Sequence, residues 1–254
     1  MARRVPEGPP PPPVVQRLRL RYAKRGRLRF TSHRDFARAF ERALRRAEIP
    51  MGYSAGFSPH PKISYVGASP TGVASEAEYL EIGLAREMDP EQVRAALDAV
   101  LPDGLDIDEV VVAGSGSLPE RMHASLWRIE LPGVDEATAA SAIEQFLARD
   151  EVLVERMMKS GRRSVDIRGP VLQASVTGAA EDPSSGVRAI LTLVVRQVTP
   201  TVRPDDVVTA LRDVAGLAPD GPSISVRVAQ GPLDAQGAVG DPLAADRIQA
   251  MTSP

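Results

Sequence analysis

Residues 17–48 read RLRLRYAKRGRLRFTSHRDFARAFERALRRAE, and this stretch organises the first half of the 254-residue chain. Apolar and arginine side chains alternate from Arg17 to Phe30, which is the period of a half-buried strand or of a hairpin turning at Gly26. One face of this basic strand is therefore predicted to be apolar and the other to carry guanidinium groups. Between residues 17 and 46 there are eleven Arg and one Lys against two carboxylates, so the stretch is strongly basic.

The segment that follows predicts an amphipathic helix over residues 32–48. Ser32 suits the N-cap position, and Asp35 lies three residues later, as in a capping box. Pro50 marks the end of the segment, because proline is disfavoured inside a helix. The predicted buried stripe has helical spacing and consists of Phe36, Phe40, Ala43, Leu44 and Ala47.

The order of the predicted elements indicates an α+β fold. Further strands at 63–66 and 78–84, a helix from Pro90 and a strand at 105–113 complete a β-α-β-β-α-β order, which is that of a ferredoxin-like domain. The same order recurs after the GSGS segment at 114–117, without residue-level identity between the halves. We therefore predict two tandem ferredoxin-like domains with disordered termini.

Composition sets the predicted boundaries. A Pro-rich lead and a tail rich in Ala, Gly, Asp and Pro are expected to be disordered. Within the second domain we expect one strand over 164–176 and a polar loop over 178–186. The predicted segments are 1–13 for the lead, 14–114 and 115–230 for the two domains, and 231–254 for the tail.

Composition also excludes several kinds of site. The chain has no cysteine, which excludes disulfides, thiol nucleophiles and Cys-ligated zinc or iron–sulfur clusters. Three histidines leave little room for an all-His metal site, and we expect no cofactor. The net charge is −2, so the basic character of the first segment is local. No apolar run approaches the roughly 20 residues of a membrane helix, and no signal-peptide core is present, so we expect a cytoplasmic protein.

The arginines of the basic strand and helix form the first candidate site. Arginine binds phosphate in a bidentate manner and stacks on bases, and an exposed sheet face can bind single-stranded RNA. The alternative is a solvated surface whose arginines are neutralised by acidic residues elsewhere. The nearby aromatic residues Tyr22, Phe30 and Tyr65 are expected in the core. The candidate phosphate-binding residues of the two segments are Arg27, Arg29, Arg34, Arg38, Arg42 and Arg45.

A second candidate site combines the helix start with the loop at residues 51–62, MGYSAGFSPHPK. The helix dipole disfavours added positive charge on His33, so a neutral imidazole there could act as a base. If the loop folds over the helix start, one pocket for a phosphate or an RNA ribose would form from His33, Tyr53, His60 and Lys62. Alternatively, His33 helps to cap the helix and His60 forms hydrogen bonds within a rigid loop.

The third candidate is Arg168 in the segment Asp166-Ile167-Arg168. Alternation along a strand places Asp166 and Arg168 on the same face. We expect a structural salt bridge here. The alternative is that Arg168, with Arg203, contributes to the same anion-binding groove as the basic helix.

Three segments carry a resemblance to known proteins. They are FTSHRDFARAFERALRRAEIP from Phe30, YSAGFSPHPKISY from Tyr53 and SEAEYLEI from Ser75. Together they resemble the radical SAM-linked proteins, a bacterial family of unknown function that is fused to radical SAM enzymes or encoded beside them. The resemblance is strong over residues 17–131 and looser beyond. The matching residues are His33, Arg34, Asp35, Phe57, Pro59, His60, Pro61, Lys62 and Glu78.

The resemblance implies an accessory module for a radical SAM iron–sulfur protein, although this chain has no cysteines for such a cluster itself. Together with the arginines, it leads us to predict a non-enzymatic, RNA-binding protein related to tRNA or rRNA. Two alternatives remain open. One is a metal-independent endoribonuclease with His33 as its base, and the other is a protein-interaction module that docks a radical SAM enzyme without contacting RNA.

Overall fold

The computed structural model describes residues 11–158, 161–182 and 186–252. These residues divide into two compact units. The first comprises the chain up to Glu120 together with the residues from Pro242 onwards, and the second is Arg121–Asp241. The division therefore falls shortly after the GSGS segment. Most of the predicted Pro-rich lead lies outside the described residues, and residues 11–13 have no regular secondary structure.

Up to Glu120, the first unit contains four antiparallel strands and two α-helices that follow one another in the order β-α-β-β-α-β. Across the sheet the strands lie in the order β4-β1-β3-β2. The elements are β1 (Gln16–Lys24), α1 (His33–Arg46), β2 (Ile63–Val66), β3 (Ala74–Leu84), α2 (Pro90–Asp98) and β4 (Ile107–Val112).

The core of this unit forms where the apolar face of β1 meets the apolar stripe of α1. Leu18, Leu20 and Tyr22 alternate along the strand and are buried, as the period of two predicts. The ring of Tyr22 stacks on Phe36 of α1 with 4.5 Å between the ring centroids. One face of β1 is therefore buried against α1, and the arginines of β1 lie on the opposite face.

The predicted helix is confirmed, with its N-cap. The Ser32 hydroxyl accepts a hydrogen bond from the Asp35 backbone N–H at 3.2 Å, and the helix begins at the next residue, His33. Four of the five predicted apolar residues are fully buried, and Ala47 packs against them. The capping residue and the spacing of the apolar residues were thus sufficient to place α1.

The predicted continuation of the strand to Phe30 is wrong. Strand β1 ends at Lys24, and Gly26–Phe30 forms a short 3-10 helix. Gly26 has φ +55°, a left-handed conformation that favours glycine, and it turns the chain away from the sheet. Phe30, which was expected in the core, has 59% of its surface exposed. Alternation over four residues does not distinguish a strand from a short helix that leaves two of its side chains in solvent.

The second unit is also α+β and antiparallel, with strand order β10-β5-β9-β8 and a separate hairpin of β6 and β7. No helix among the described residues of either unit is long and apolar enough to cross a bilayer. The elements are β5 (Ala124–Pro132), α3 (Glu136–Leu147), β6 (Leu153–Met158), β7 (Gly161–Asp166), β8 (Val171–Asp182), β9 (Gly186–Arg196), α4 (Pro204–Ala215) and β10 (Ile224–Gly231).

Two sequence predictions in the second unit are wrong. The single strand expected over 164–176 is broken between β7 and β8 at Gly169-Pro170, where Pro170 has no N–H to donate to a strand ladder. The polar loop expected over 178–186 is largely strand, because β8 and β9 stay paired as far as Asp182 and Gly186. The extra hairpin also distinguishes this unit from the six-element order predicted for it.

The predicted disorder of residues 231–254 is wrong for most of that segment. Leu233 and Val239 form a bridge, and a fifth helix, α5, spans Ala244–Thr252 in the first unit. Asp246 is 1% exposed; its carboxylate accepts hydrogen bonds from the Gly114 N–H at 2.9 Å and from Arg19 at 2.7 Å. Contacts with residues more than a hundred positions away therefore order this helix, and local composition does not reveal them.

Candidate nucleic-acid interface

The arginines at the start of β1 are already neutralised. Arg17 contacts the Glu81 carboxylate of β3 at 2.9 Å. Arg19 is buried and lies between Glu81 at 3.0 Å and Asp246 at 2.7 Å. Burial alone would lower the pKa of Arg19, but its hydrogen bonds with Asp246 and Glu81 outweigh burial and raise that pKa.

Arg21 of β1 and Arg25, which follows the last residue of the strand, meet an acidic cluster. Arg25 contacts Asp106 at 2.5 Å and also pairs with Glu76. Asp108 lies 3.8 Å from Arg25 and 4.0 Å from Arg21. Burial raises the pKa of Asp108, and it outweighs the lowering effect of the two arginines. The guanidinium face predicted for the strand therefore has its counter-charges within the protein.

A cavity of about 470 Å³ opens on this same face of the sheet. Its charged walls are Arg17, Arg19 and Glu81, which are the members of the ion pairs described above. A phosphate entering this cavity would have to compete with a carboxylate already hydrogen-bonded to both arginines. The cavity is therefore not a ready anion site.

The arginines of α1, unlike those of β1, are not neutralised by ion pairs within the described part of the chain. They are exposed on the helix face away from the core, and none forms an ion pair with any other described residue. Their spacing of three or four residues aligns them along one side of the helix. They are Arg34, Arg38, Arg42, Arg45 and Arg46. The last of them was not among the predicted binding residues.

The 3-10 helix adds a cation and an aromatic ring next to the start of α1. Arg27 is exposed and has no ion pair among the described residues. The guanidinium carbon of Arg29 lies 4.8 Å from the centroid of the Phe30 ring, while its Nε is buried without a hydrogen bond in the described part of the chain. Sequence reasoning missed Phe30, although its position three residues after Arg27 would have placed the two side chains together on a 3-10 helix.

His33 lies against Tyr65 of β2. The two rings are perpendicular, with 4.9 Å between their centroids, and the histidine is exposed. Burial raises the pKa of Tyr65, and its hydroxyl has no hydrogen-bond partner among the described residues. Ser32 rather than His33 caps the helix, so the expected capping role of His33 is not needed.

The loop after α1 is a closed turn with an exposed tip. The Ser54 N–H donates to the His60 carbonyl at 2.9 Å, and the His60 N–H donates to the Ser54 hydroxyl at 3.0 Å. The Lys62 N–H donates to Gly52, whose own N–H donates to Gly83 at 2.7 Å. The expected hydrogen bonding of His60 within the loop is therefore present through its backbone.

The structure does not bring the loop and the helix start together. The loop stem lies at Gly83, near the C-terminal end of β3, and no hydrogen bond, ion pair or ring contact among the described residues joins His33 to the loop. Pro61 and Tyr65, which contacts His33, are separated by four residues of extended chain, about 13 Å. Tyr53, His60 and Lys62 are thus close together on the paired backbone of the loop, whereas the ring contact of His33 is with Tyr65 of β2.

A family model described as "Uncharacterized protein conserved in bacteria (DUF2344)" matches residues 17–204. The chain belongs to this family. In this DUF2344 protein the matched span contains all of the basic stretch and the loop, and it ends at the first residue of α4. Asp246, the partner of Arg19, lies beyond it. No curated protein matches the chain.

Arg168 lies in the second unit of this DUF2344 protein and is engaged there. Its guanidinium donates to the carbonyl of Leu147, at the end of α3, at 3.2–3.3 Å and to that of Val171 at 3.0 Å. The expected Asp166–Arg168 salt bridge is absent; the Asp166 carboxylate instead accepts hydrogen bonds from backbone N–H groups, including that of Gly169. Both side chains therefore stabilise the turn between β7 and β8.

Within the described ranges, no three His, Asp or Glu side chains of this DUF2344 protein are grouped so as to hold a metal ion. The family description names neither a ligand nor a partner. The radical SAM linkage that the sequence resemblance implies therefore stays a prediction.

Proposed function

We propose that this protein is a non-enzymatic RNA-binding accessory protein, and that the exposed arginine face of α1 is its phosphate-binding surface. The observation that carries the proposal is the set of five exposed guanidinium groups of α1 without an ion pair to any described residue. No described carboxylate is in ion-pair contact with these guanidinium groups, so they can bind the phosphates of a ligand without first breaking an ion pair.

Repulsion along α1 supports a binding role over a merely solvated surface. Arg42 lies four residues from both Arg38 and Arg46, and no carboxylate of α1 lies three or four residues from it. Each such like-charge pair destabilises a helix by about 0.2–0.5 kcal/mol. Helix α2 has an arrangement that avoids this repulsion, because its Arg94 pairs with Glu91 at 2.6 Å. A surface needed only for solubility could use the same alternation of charge.

The length and chemistry of the surface favour a polyanion over a small anion. Fourteen residues of helix extend about 20 Å, a distance that spans several phosphates of one strand. Arginine presents a planar fork that binds phosphate oxygens in a bidentate manner. The net charge of −2 means that attraction depends on this local surface.

Two further parts belong to the proposal. We propose that each unit is a ferredoxin-like domain and that the β6–β7 hairpin is an insertion in the second. The loop that follows α1 supplies Tyr53, His60 and Lys62 as additional contacts for a nucleotide; these side chains are exposed and close to one another. The iron–sulfur partner implied by the sequence resemblance would be a radical SAM enzyme that acts on the bound RNA.

A salt titration tests the RNA proposal. Binding of single-stranded fragments of tRNA and rRNA to the full chain should weaken steeply as salt rises, because counterions are released from the phosphates. Replacing Arg38, Arg42 and Arg45 together with Ala should reduce the slope of log affinity against log salt by about 2, at about 0.7 per lost contact. Arg94→Ala, which removes a paired arginine from α2, should leave the slope unchanged. Absence of wild-type binding at low salt rejects the proposal.

A cleavage assay separates binding from catalysis. The same RNA fragments are incubated with the wild-type chain and with His33→Ala, and the products are resolved by length. We expect intact RNA in both reactions. Products from the wild type that are missing with His33→Ala would instead assign the endoribonuclease alternative, with the exposed imidazole as the base.

A further inference from the structure

We infer that Phe30 is a stacking platform for an unpaired nucleobase, flanked by Arg27 and Arg34 as phosphate contacts. This inference rests on the RNA-binding function proposed above and specifies it: the preferred ligand is single-stranded RNA with an accessible base. The site lies on the 3-10 helix and the first turn of α1.

The exposure of Phe30 is the first observation. More than half of its surface, 59%, is exposed, although burying a phenylalanine side chain is worth about 1.5–3 kcal/mol. Its neighbour Leu28 packs against the core of the first unit. The same short helix therefore buries one apolar side chain and leaves a larger one in solvent.

The second observation is that neighbouring groups contact the ring from two sides. Arg29 lies 4.8 Å from the ring centroid, and the Gly72 N–H donates to the Arg29 carbonyl at 2.8 Å. A Cβ built on Gly72 would come within 3.9 Å of the ring edge, so the backbone at Gly72 lies directly beside Phe30. A ring held in this way loses little conformational freedom when a base stacks on it.

The charges around the ring identify the class of ligand. Arg27 and Arg34 are exposed and have no ion pair within the described part of the chain. An apolar protein surface placed on Phe30 would desolvate these arginines without compensation. A nucleotide, in contrast, brings a flat π-system for the ring and a phosphate for the guanidinium groups, which is the combination used in single-strand binding.

A comparison of single-stranded with duplex RNA distinguishes binding that uses Phe30 from binding by the arginine face of α1 alone. A duplex offers phosphates to the arginines, but its bases are stacked and paired and cannot cover Phe30. The platform therefore predicts a preference for single strands that depends on Phe30. The electrostatic component, and with it the salt dependence, should not depend on this residue.

The test compares single-stranded RNA with a duplex of the same sequence, each labelled with fluorescein, in anisotropy titrations of the full chain. Phe30→Ala should weaken single-strand binding about tenfold or more, and leave duplex binding and the salt slope unchanged. Phe30→Leu keeps an apolar side chain without a π-face and should show the same loss. The control is Met251→Ala, which removes another exposed apolar side chain of this unit and should bind as the wild type does.

Phe30→Trp gives a direct signal. The new indole should retain single-strand affinity, and its emission should be quenched by the single strand but not by the duplex, relative to the wild-type signal of buried Trp127. Wild-type affinity in Phe30→Ala or Phe30→Leu, in a chain that binds RNA with steep salt dependence, would overturn the platform and leave the proposed function intact. If the wild-type chain binds no RNA at all, both the stacking platform and the proposed RNA-binding function are wrong.

Discussion

The arginines of β1 and those of α1 follow one another in the same basic stretch, yet they differ in what surrounds them. Glu81, Asp108, Glu109 and Asp246 lie near the guanidinium groups of β1, and one of these arginines is buried. The guanidinium groups of α1 are exposed and form no ion pair with a described residue, although Asp35 and Glu41 lie on the same helix. The density of arginine in the sequence therefore predicts a charged surface only where the fold brings no carboxylates to it.

The largest expected effect comes from breaking the buried pair in β1. Only 3% of the Arg19 side chain and none of that of Asp246 is exposed, so Arg19→Ala removes a positive charge that is paired with a buried carboxylate. We expect a loss of about 3–5 kcal/mol in the free energy of unfolding of the first unit. Arg17→Ala, whose side chain is 65% exposed, should lose less than about 1 kcal/mol.

The aromatic residues allow this loss to be measured unit by unit. All four tyrosines lie in the first unit, and the single tryptophan lies in the second. Tyrosine circular dichroism during urea unfolding therefore follows the first unit, while tryptophan fluorescence follows the other. Equal tyrosine transitions for Arg19→Ala and Arg17→Ala would show that burial does not distinguish these two ion pairs.

The backbone beneath Arg25 provides the second test of the paired region. Gly104 has φ +91°, and a Cβ built on it would lie 3.0 Å from the Arg25 carbonyl oxygen, which belongs to the backbone and cannot move independently. Gly104→Ala is expected to cost about 1–3 kcal/mol in the tyrosine transition. It should leave the salt slope of RNA binding unchanged, because α1 is untouched.

Gly221→Ala serves as the control, since a Cβ at Gly221 would meet nothing within 4 Å. Its unfolding, followed through tryptophan fluorescence, should match the wild type. A reduced salt slope in Gly104→Ala would show that the acidic cluster influences the binding surface. The arginines of β1 and those of α1 would then not act independently.

Local signals in the sequence were enough to predict α1 and one face of β1. Ser32, Asp35 and the apolar stripe act within a few residues of one another, and so does the alternation of Leu18 and Leu20 with arginine. The helix α5 could not be predicted in this way, because Asp246 is ordered by Arg19, 227 residues away in the sequence. For the same reason, no local pattern distinguishes the buried Arg19 from an exposed arginine.

The candidate site was predicted in part. Each arginine assigned to α1 is exposed on it, because the helical period fixes which residues face away from the core. The pocket expected from His33 and the loop required knowledge of where the loop stem attaches, and the pairing of Gly52 with Gly83 is a contact between residues 31 positions apart. Phe30 was assigned to the core because an aromatic residue is usually buried.

Removing an arginine from α1 should raise the stability of the first unit, whereas removing one from β1 should lower it. Arg42→Ala removes two like-charge pairs at a spacing of four residues, with Arg38 and Arg46, and no carboxylate of α1 lies three or four residues from Arg42. Each such pair destabilises by about 0.2–0.5 kcal/mol, so the first unit should gain up to about 1 kcal/mol at low salt. The gain should vanish near 1 M salt, where the screening length is about 3 Å. Arg94→Ala should instead lose stability slightly, because it breaks the pair with Glu91. A loss of stability in Arg42→Ala would mean that Arg42 has a stabilising partner.

The smallest expected effect concerns the acidic cluster and depends on pH. Burial raises the pKa of Asp108 above its usual value, so the folded unit favours the protonated carboxyl. The stabilisation from this group is fully present below its unfolded pKa, about 3.9, and is lost as pH rises through the folded pKa. Asp108→Asn is neutral at every pH and nearly the same shape, so it should be more stable than the wild type near pH 7 by a few tenths of a kcal/mol. The two proteins should converge in acid, where the carboxyl is protonated in both states. A difference that grows as pH falls would show that Arg21 and Arg25 outweigh burial, and that this partly buried carboxylate acts mainly as a counter-charge for the two arginines.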